Sequence, residues 1–522
     1  MSILQWILIL FLLAEAYVPS KRALQMFQQN RYENGRYASW MKQGLGDKLT
    51  AMALAGMIAL AAMILALIFR PGTVILAAAA AVCAFLLYTD EKGQNYIKPL
   101  VVTARVKRQI AVQAVLLFLF SFLLVRTGLS FLSVMAMLVM PWLIVFLTGW
   151  ITLPVEKSVH AYYLNDAKRI LREHTGLISV GITGSYGKTS TKNIMQAMLS
   201  EQYNSLMTPA SYNTPMGIAR TIREMLKPIH KVFICEMGAD HVGDITELMN
   251  FVHPSIGVVT SIGPQHLLTF GSQENITREK MQMAELLPSD GVAVLNYDNA
   301  LIREYRIRNQ VKVITYGIEY KDADYRAEDI SYSASGSSFT VVHGDERIGL
   351  ETKLLGNLNI LNILSAVACA RYLGVEWKTI RRAVKNMKQV EHRLELKIIN
   401  GHRFIDDAFN ANPAGSAMAL DVLSMMPGRR VIVTPGMIDL GERQAEINRE
   451  FGRRMKGKAD TVILVGRTQT APIAEGLKET GFDTSDIIIV DTVKEAFAYV
   501  YQNTGSQDTI LLENDLPDAF SY

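Results

Sequence analysis

Apolar residues follow two different rules along this chain. Up to about residue 153 they come in long unbroken runs, and beyond it they fall in short bursts among polar residues. Five runs are readable, at Ile3–Val18, Ala51–Phe69, Thr73–Tyr88, Ile110–Val125 and Leu129–Ile151. Crossing the hydrocarbon of a bilayer takes about 20 apolar residues in a helix, and at least about 17. The second and fifth runs meet that length comfortably. The other three are short, so four spans with one interfacial helix is an alternative to five. Ala14-Glu15-Ala16 has the small-residue spacing of a signal-peptide cleavage site. The run before it lacks a basic flank and further runs follow, so an uncleaved anchor is expected.

Basic residues alternate with the runs. Lys21, Arg22, Arg31, Arg36, Lys42 and Lys48 lie in 19–48, and Lys92, Lys98, Arg105, Lys107 and Arg108 lie in 89–109. The intervening turns, Arg70-Pro71-Gly72 and Arg126-Thr127-Gly128, are short. The positive-inside rule puts both long loops, and everything after Pro154, in the cytoplasm. The competing reading, helices buried in a large soluble core, does not explain that alternation.

Past residue 153 the pattern is that of a soluble α/β protein. Leu177–Ile182 has strand length and β-branched residues, and a helical period runs through about Leu199. Between them stands Thr183-Gly184-Ser185-Tyr186-Gly187-Lys188-Thr189. Strand, glycine loop and helix form a phosphate cradle: glycines let backbone N–H groups close on the anion, and the helix adds its positive end. In that reading Lys188 reaches the β- and γ-phosphates of ATP and the Thr189 hydroxyl holds Mg²⁺. Ile182 stands where the strict P-loop pattern has its first glycine, so a simple strand-to-helix turn remains the alternative. A second strand, Lys231–Cys235, ends on Glu236, where a carboxylate is well placed for magnesium or is merely solvated. A third, Ile256–Thr260, leads to His266, which on its own reads as an ordinary loop histidine as readily as a ligand.

Composition adds limits. A chain of 522 residues implies two to four domains. Its net charge of +4 is small for this size and gives no sign of a nucleic-acid partner. The cysteines Cys83, Cys235 and Cys369 are scattered, which excludes a disulfide framework and suits a cytosolic setting for the soluble part.

Taken in order, the segments Thr183–Thr189, Asn213 with Gly217, Glu236-Met237-Gly238-Ala239 and Ile262–Leu267 resemble the central domain of the Mur ligases. Phe270–Ile276 with Lys280, Gly291–Asp298, Arg326–Ile330 and Gly356 with Asn359 and Asn362 continue the resemblance. Ile405–Pro413 and Gly436–Glu442 extend it into a C-terminal domain. The nearest branch is the one that adds D-alanyl-D-alanine to a muramoyl tripeptide. The apolar runs and the resemblance together imply three parts. Residues 1–153 form an α-helical transmembrane region. Residues 154–388 form an α/β P-loop domain with a mostly parallel sheet and a small β subdomain. Residues 389–522 form a Rossmann-like α/β domain.

It also implies an ADP-forming reaction, in which a substrate carboxylate takes the γ-phosphate of ATP and an amine displaces phosphate from the acyl phosphate. Thr183, Gly184, Ser185, Gly187, Lys188, Thr189 and Ser190 would then bind the phosphates. Asn296, Asn359 and Asn362 would reach adenine and ribose. Thr189, Glu236 and His266 would hold two Mg²⁺ ions. Lys280 would carry a carbamate made with carbon dioxide, where an unmodified helix lysine is the plainer alternative. Arg393 would reach the phosphates from the linker. Asp407 and Asn410 would close the C-terminal domain onto ATP about a hinge near Val390–Leu394.

Three departures from the family bear on substrate. Only about Val155–Gly176 separates the apolar part from the nucleotide domain, which leaves no room there for the sugar-nucleotide domain of muramoyl-peptide ligases. Where the branch has a Lys-Gly-Ser segment, this chain has Leu511–Asp518, which is acidic. Ser261 stands where the family often has Asn, and Leu358 where it often has His. The expectation is a multi-pass membrane protein with cytoplasmic ligase domains. Its partners are the lipid bilayer, a small amine, a carboxylate substrate that is lipid-linked, and envelope-synthesis proteins. A poly-γ-glutamate-type ligase and a non-catalytic nucleotide-binding scaffold are the competing functions.

Overall fold

A computed structural model describes the chain except for residues 43–49, 70–71, 95, 97–98, 334–335, 390–393, 409–410, 439, 441–442 and 515–522. The chain divides into two compact units, one spanning Met1–Ala161 and the other beginning at Tyr162.

The first unit is helical. Among the described residues, five helices are long and apolar enough to cross a membrane: Ile3–Gln29, Ala51–Ile68, Gly72–Gly93, Ala104–Arg126 and Ser130–Glu173. The first and fourth runs lengthen because Lys, Arg and Gln are good helix formers and carry the helix past the apolar stretch, and Glu91 and Lys92 do the same for the third. Thus Ile3–Val18 continues to Gln29, and the helix containing Ile110–Val125 starts at Ala104, where the Thr103 hydroxyl caps the Val106 N–H. Small residues let the helices approach closely, with Ala16, Ala55, Ala59, Ala80 and Cys83 buried beside Leu8 and Leu12. Basic residues near the helix ends are paired: Lys21 with Glu91 at 2.6 Å, Arg22 with Asp90 at 2.7 Å and Arg108 with Glu156 at 2.7 Å.

The second unit holds two sheets. The larger contains β1 (Ile178–Thr183), β2 (Ser205–Met207), β3 (Val232–Glu236), β4 (Ile256–Val259), β5 (Val292–Asn296), β6 (Lys312–Gly317), β7 (Tyr325–Ser333), β8 (Gly336–His343) and β9 (Glu346–Thr352). Their order is β2-β3-β1-β4-β5-β6-β7-β8-β9, parallel as far as β7 and antiparallel beyond. The antiparallel end is the small β subdomain. Strands β1, β3, β4 and β5 are buried on both faces, hence their continuous apolar runs. Val180 and Ile182 of β1 join the core under helices Lys188–Leu199 and Asn357–Tyr372. On the other face Gly181 lies against Met283 of helix Gln273–Glu285.

The second sheet comprises β10 (Glu395–Ile399), β11 (His402–Asp407), β12 (Arg430–Thr434), β13 (Thr461–Val465), β14 (Ile487–Val490) and β15 (Thr509–Glu513), in the order β10-β11-β15-β12-β13-β14. Only the edge strand β10 runs antiparallel, so this is a doubly wound domain. Residue 153, where the apolar part ends by sequence, lies inside the helix Ser133–Glu173. The last turns of that helix belong to the second unit: Ala167 is buried in its core, with Leu164, Ile170 and Leu171 packed alongside.

Candidate nucleotide and metal site

The neighbouring parallel strands β3, β1, β4 and β5 deliver four segments to one edge of the sheet. These are Glu236, the loop Thr183–Lys188, the segment Thr260–His266 and Asn296. Carboxyl ends of adjacent parallel strands are where α/β sheets bind ligands.

The glycine loop is held open and shaped by its neighbours. Gly184 has φ +146° and Gly187 has φ +84°. A Cβ on Gly184 would collide with the Thr260 hydroxyl, and one on Gly187 would lie 2.6 Å from Asn362 Oδ1. The Ser185 N–H donates to Ser261 O at 2.7 Å and the Tyr186 N–H to Ser261 Oγ at 2.9 Å. The Thr183 hydroxyl donates to Met237 O at 3.0 Å, tying β1 to the segment after β3. Lys188 Nζ donates to Gly184 O at 2.6 Å and Ser185 O at 3.2 Å, so the lysine folds back over its own loop. Helix Lys188–Leu199 starts here and includes the buried Ser190, which gives the loop a helix N-terminus.

Glu236 ends β3 and is 1% exposed. Its Oε1 accepts from Thr189 Oγ1 at 3.2 Å and Asn213 Nδ2 at 3.1 Å. Lys192 Nζ lies 2.9 Å from Oε2, yet too poorly directed for a hydrogen bond, so Oε2 keeps no directed donor. A hydroxyl and a buried carboxylate in contact form a hard oxygen set that suits magnesium. The glycine cradle likewise suits a phosphate chain.

Lys280, on helix Gln273–Glu285, is 1% exposed and donates to Ala239 O at 3.1 Å. Burial pushes its pKa well below the ordinary lysine range, and the charge of Lys188 pushes the same way, opposed by Glu279 and Asp244. Glu279 is itself occupied, accepting the N–H groups of Gly243 at 2.8 Å and Ile245 at 2.6 Å. A buried amine with a depressed pKa has the neutral form available to attack carbon dioxide.

His266 sits at φ +56° as the cap residue of helix Leu267–Phe270, half-buried on the same sheet edge. The three asparagines are engaged inside the protein. Asn296 Nδ2 donates to Thr260 O at 2.8 Å, Asn359 Nδ2 to Leu355 O at 2.8 Å, and Asn362 Oδ1 accepts from Thr191 Oγ1 at 3.1 Å. Asp407 closes β11 and accepts the Leu394 N–H at 3.2 Å. Arg393 and Asn410 lie outside the described residues, as do 390–392 of the hinge and the end of the acidic segment from Asp515.

Sequence reading passed over Lys192, Thr260 and Glu279. Lys192 carried a signal, since it follows Lys188 by four residues and so shares its helix face. Thr260 and Glu279 carried none, because their roles come from what the sheet brings beside them.

Two family models match the chain: the Mur ligase middle domain over residues 182–370, and the Mur ligase glutamate ligase domain over 392–513. The UDP-N-acetylmuramoyl-tripeptide–D-alanyl-D-alanine ligase of Bacillus subtilis is 29% identical over 352 residues, covering 66% of this chain and 75% of that protein. The ligase of the same name from Escherichia coli is 30% identical, covering 59% of this chain and 69% of that one. Among solved structures, MurF from Acinetobacter baumannii superposes with a TM-score of 0.62 at 24% identity, covering 70% of this chain and 78% of that one. MurF from Thermotoga maritima in complex with ADP also gives 0.62, at 23% identity, covering 68% and 80%.

Proposed function

This chain belongs to the Mur ligase family, and we propose that it works at a cytoplasmic membrane face, on a peptidoglycan-type precursor borne by a lipid. The chemistry is that of an ATP-dependent, ADP-forming amide ligase. The observation that carries the membrane part is the make-up of the chain: five helices apolar enough to span a bilayer precede the nucleotide domain.

In the reaction a precursor carboxylate oxygen attacks the γ-phosphorus of ATP, and ADP leaves. The acyl phosphate accepts the lone pair of an amine. The tetrahedral adduct loses a proton and expels phosphate, leaving the amide. Phosphoryl transfer of this kind depends on positioning and charge neutralisation. Lys188 swings from the carbonyls of Gly184 and Ser185 onto the phosphates. Thr189 and Glu236 would hold one magnesium ion, and His266 with a carbamylated Lys280 would hold a second. Magnesium, when bound, neutralises charge on the transferring phosphoryl group. Thr183, Gly184, Ser185, Gly187 and Ser190 shape the cradle, and Asn296, Asn359 and Asn362 fix its walls beside the nucleoside. Arg393, Asp407 and Asn410 complete the site when the C-terminal domain closes. The relatives' names point to a dipeptide such as D-alanyl-D-alanine as the type of amine.

The test is phosphate release by the full chain in lipid, with the dipeptide and either a UDP-muramoyl tripeptide or its lipid-linked counterpart. Faster turnover of the lipid-linked carboxylate is expected. Equal turnover refutes the membrane-borne substrate, and release that ignores both carboxylate and amine refutes the ligase assignment.

A further inference from the structure

We infer that Lys192 is a positioning residue, which neutralises Glu236 and selects the oxygen that this carboxylate offers to magnesium. The inference rests on the reading of Glu236 as a magnesium ligand. Lysine is almost never fully buried without a partner, yet Lys192 is 1% exposed. Its ammonium joins three elements. It projects from helix Lys188–Leu199, lies 2.9 Å from Glu236 Oε2 at the end of β3, and donates to the carbonyl of Ala210 in the loop after β2. Ala210 is held at φ +42°, a left-handed conformation that a non-glycine residue keeps only when its surroundings enforce it. The same loop supplies Asn213, whose amide donates to Glu236 Oε1.

The two carboxylate oxygens are therefore treated differently. Oε2 faces the ammonium, and Oε1 faces the Thr189 hydroxyl and the Asn213 amide. With Lys192 on one side, Glu236 presents the other oxygen beside Thr189. Lys192 has a second effect. A buried carboxylate beside a phosphate loop repels a polyanion, and a neighbouring ammonium turns the pair into a neutral unit. ADP can then enter before any metal does. A lysine that only staples the 208–214 loop would predict none of this charge coupling.

The experiment is calorimetric titration of ADP into the full chain in detergent, in chelator and again with magnesium. Removing the ammonium in Lys192→Met weakens metal-free ADP binding roughly tenfold or more. Lys192→Arg keeps the charge and stays near the wild-type value. In Lys192→Met/Glu236→Gln both charges are gone, and metal-free affinity returns to near wild type. The double variant also holds the test should Lys192→Met alone fail to fold, because it leaves no unpaired buried charge. Unchanged metal-free affinity in Lys192→Met, or a loss that Glu236→Gln does not restore, overturns the proposal. If magnesium improves ADP binding equally in wild type and Glu236→Gln, the magnesium reading fails, and the role of Lys192 with it.

Discussion

Gly187→Ala isolates the glycine loop as a source of nucleotide affinity. Gly187 has φ +84°, and alanine pays about 1–2 kcal/mol there from the clash of Cβ with the following carbonyl. Its Cβ would also lie 2.6 Å from Asn362 Oδ1. Asn362 cannot withdraw freely, because that oxygen accepts the Thr191 hydroxyl at 3.1 Å inside the core. Displacing it forfeits a buried hydrogen bond worth about 1 kcal/mol and brings overpacking of about 1–2 kcal/mol. The total is about 3–5 kcal/mol. If the strain falls on the conformation that binds phosphate, ADP affinity drops by roughly two to four orders of magnitude. Titration calorimetry with magnesium–ADP reads the affinity, and denaturant melts of the same samples read the strain borne by the fold. The control is Gly374→Ala, which shares a left-handed backbone at φ +81° but has nothing within 4 Å of the new Cβ. It loses only the backbone term of about 1–2 kcal/mol of stability and no ADP affinity. A Gly187→Ala protein within about 0.5 kcal/mol of wild type in both measurements would refute the reasoning.

Other expectations are more direct. Lys280→Ala abolishes most ligase turnover, and short-chain carboxylic acids that replace the carbamate restore part of it; full activity without rescue refutes the carbamate. In buffer free of carbon dioxide, where Lys280 is an unmodified amine, it also bears on pH. Its folded-state pKa is depressed by burial, so between that value and the ordinary 10.5 the unfolded chain holds more protons. Stability contributed through Lys280 therefore increases as pH rises toward 10.5 and is lost as pH falls toward the folded-state value. Lys280→Met lacks that increment, and equal pH slopes in denaturant melts of the two proteins would contradict the assignment. Alkaline carbonate leaves the chain in the membrane pellet, whereas release into the supernatant would exclude spanning helices.

The nucleotide loop was legible because strand period, glycine spacing and helix period change over within a few residues, Leu177 to Leu199. Glu236 was legible because the strand ends on it. The helical unit was legible in number but not in extent, since the apolar runs mark only part of each helix and the first continues through Lys21, Arg22 and Gln25. What escaped was assembled in three dimensions. Thr260 gains its role only when β4 lies beside β1, and Ser261, noted only for departing from the family pattern, pins the loop for the same reason. Lys192 shares a helix face with Lys188 by its spacing, but its carboxylate partner appears only when β3 and the loop at Ala210 enclose it. Asn296, Asn359 and Asn362, assigned to the nucleoside only through the family resemblance, hydrogen-bond within the fold to Thr260 O, Leu355 O and the Thr191 hydroxyl, contacts that no local sequence pattern announces.

The final turns of the helix Ser133–Glu173 set where a soluble fragment of the ligase can begin. Starting at residue 174 would strip Leu164, Ala167, Ile170 and Leu171 from the core cluster that holds Phe233 and Phe251. It would also remove Asp166, which accepts from Arg223 at 2.6 Å. The bared apolar patch would favour aggregation over catalysis. A fragment intended to keep the ligase fold should therefore start at or before Tyr162, carrying a helical collar that lies ahead of residue 182, where the middle-domain match begins.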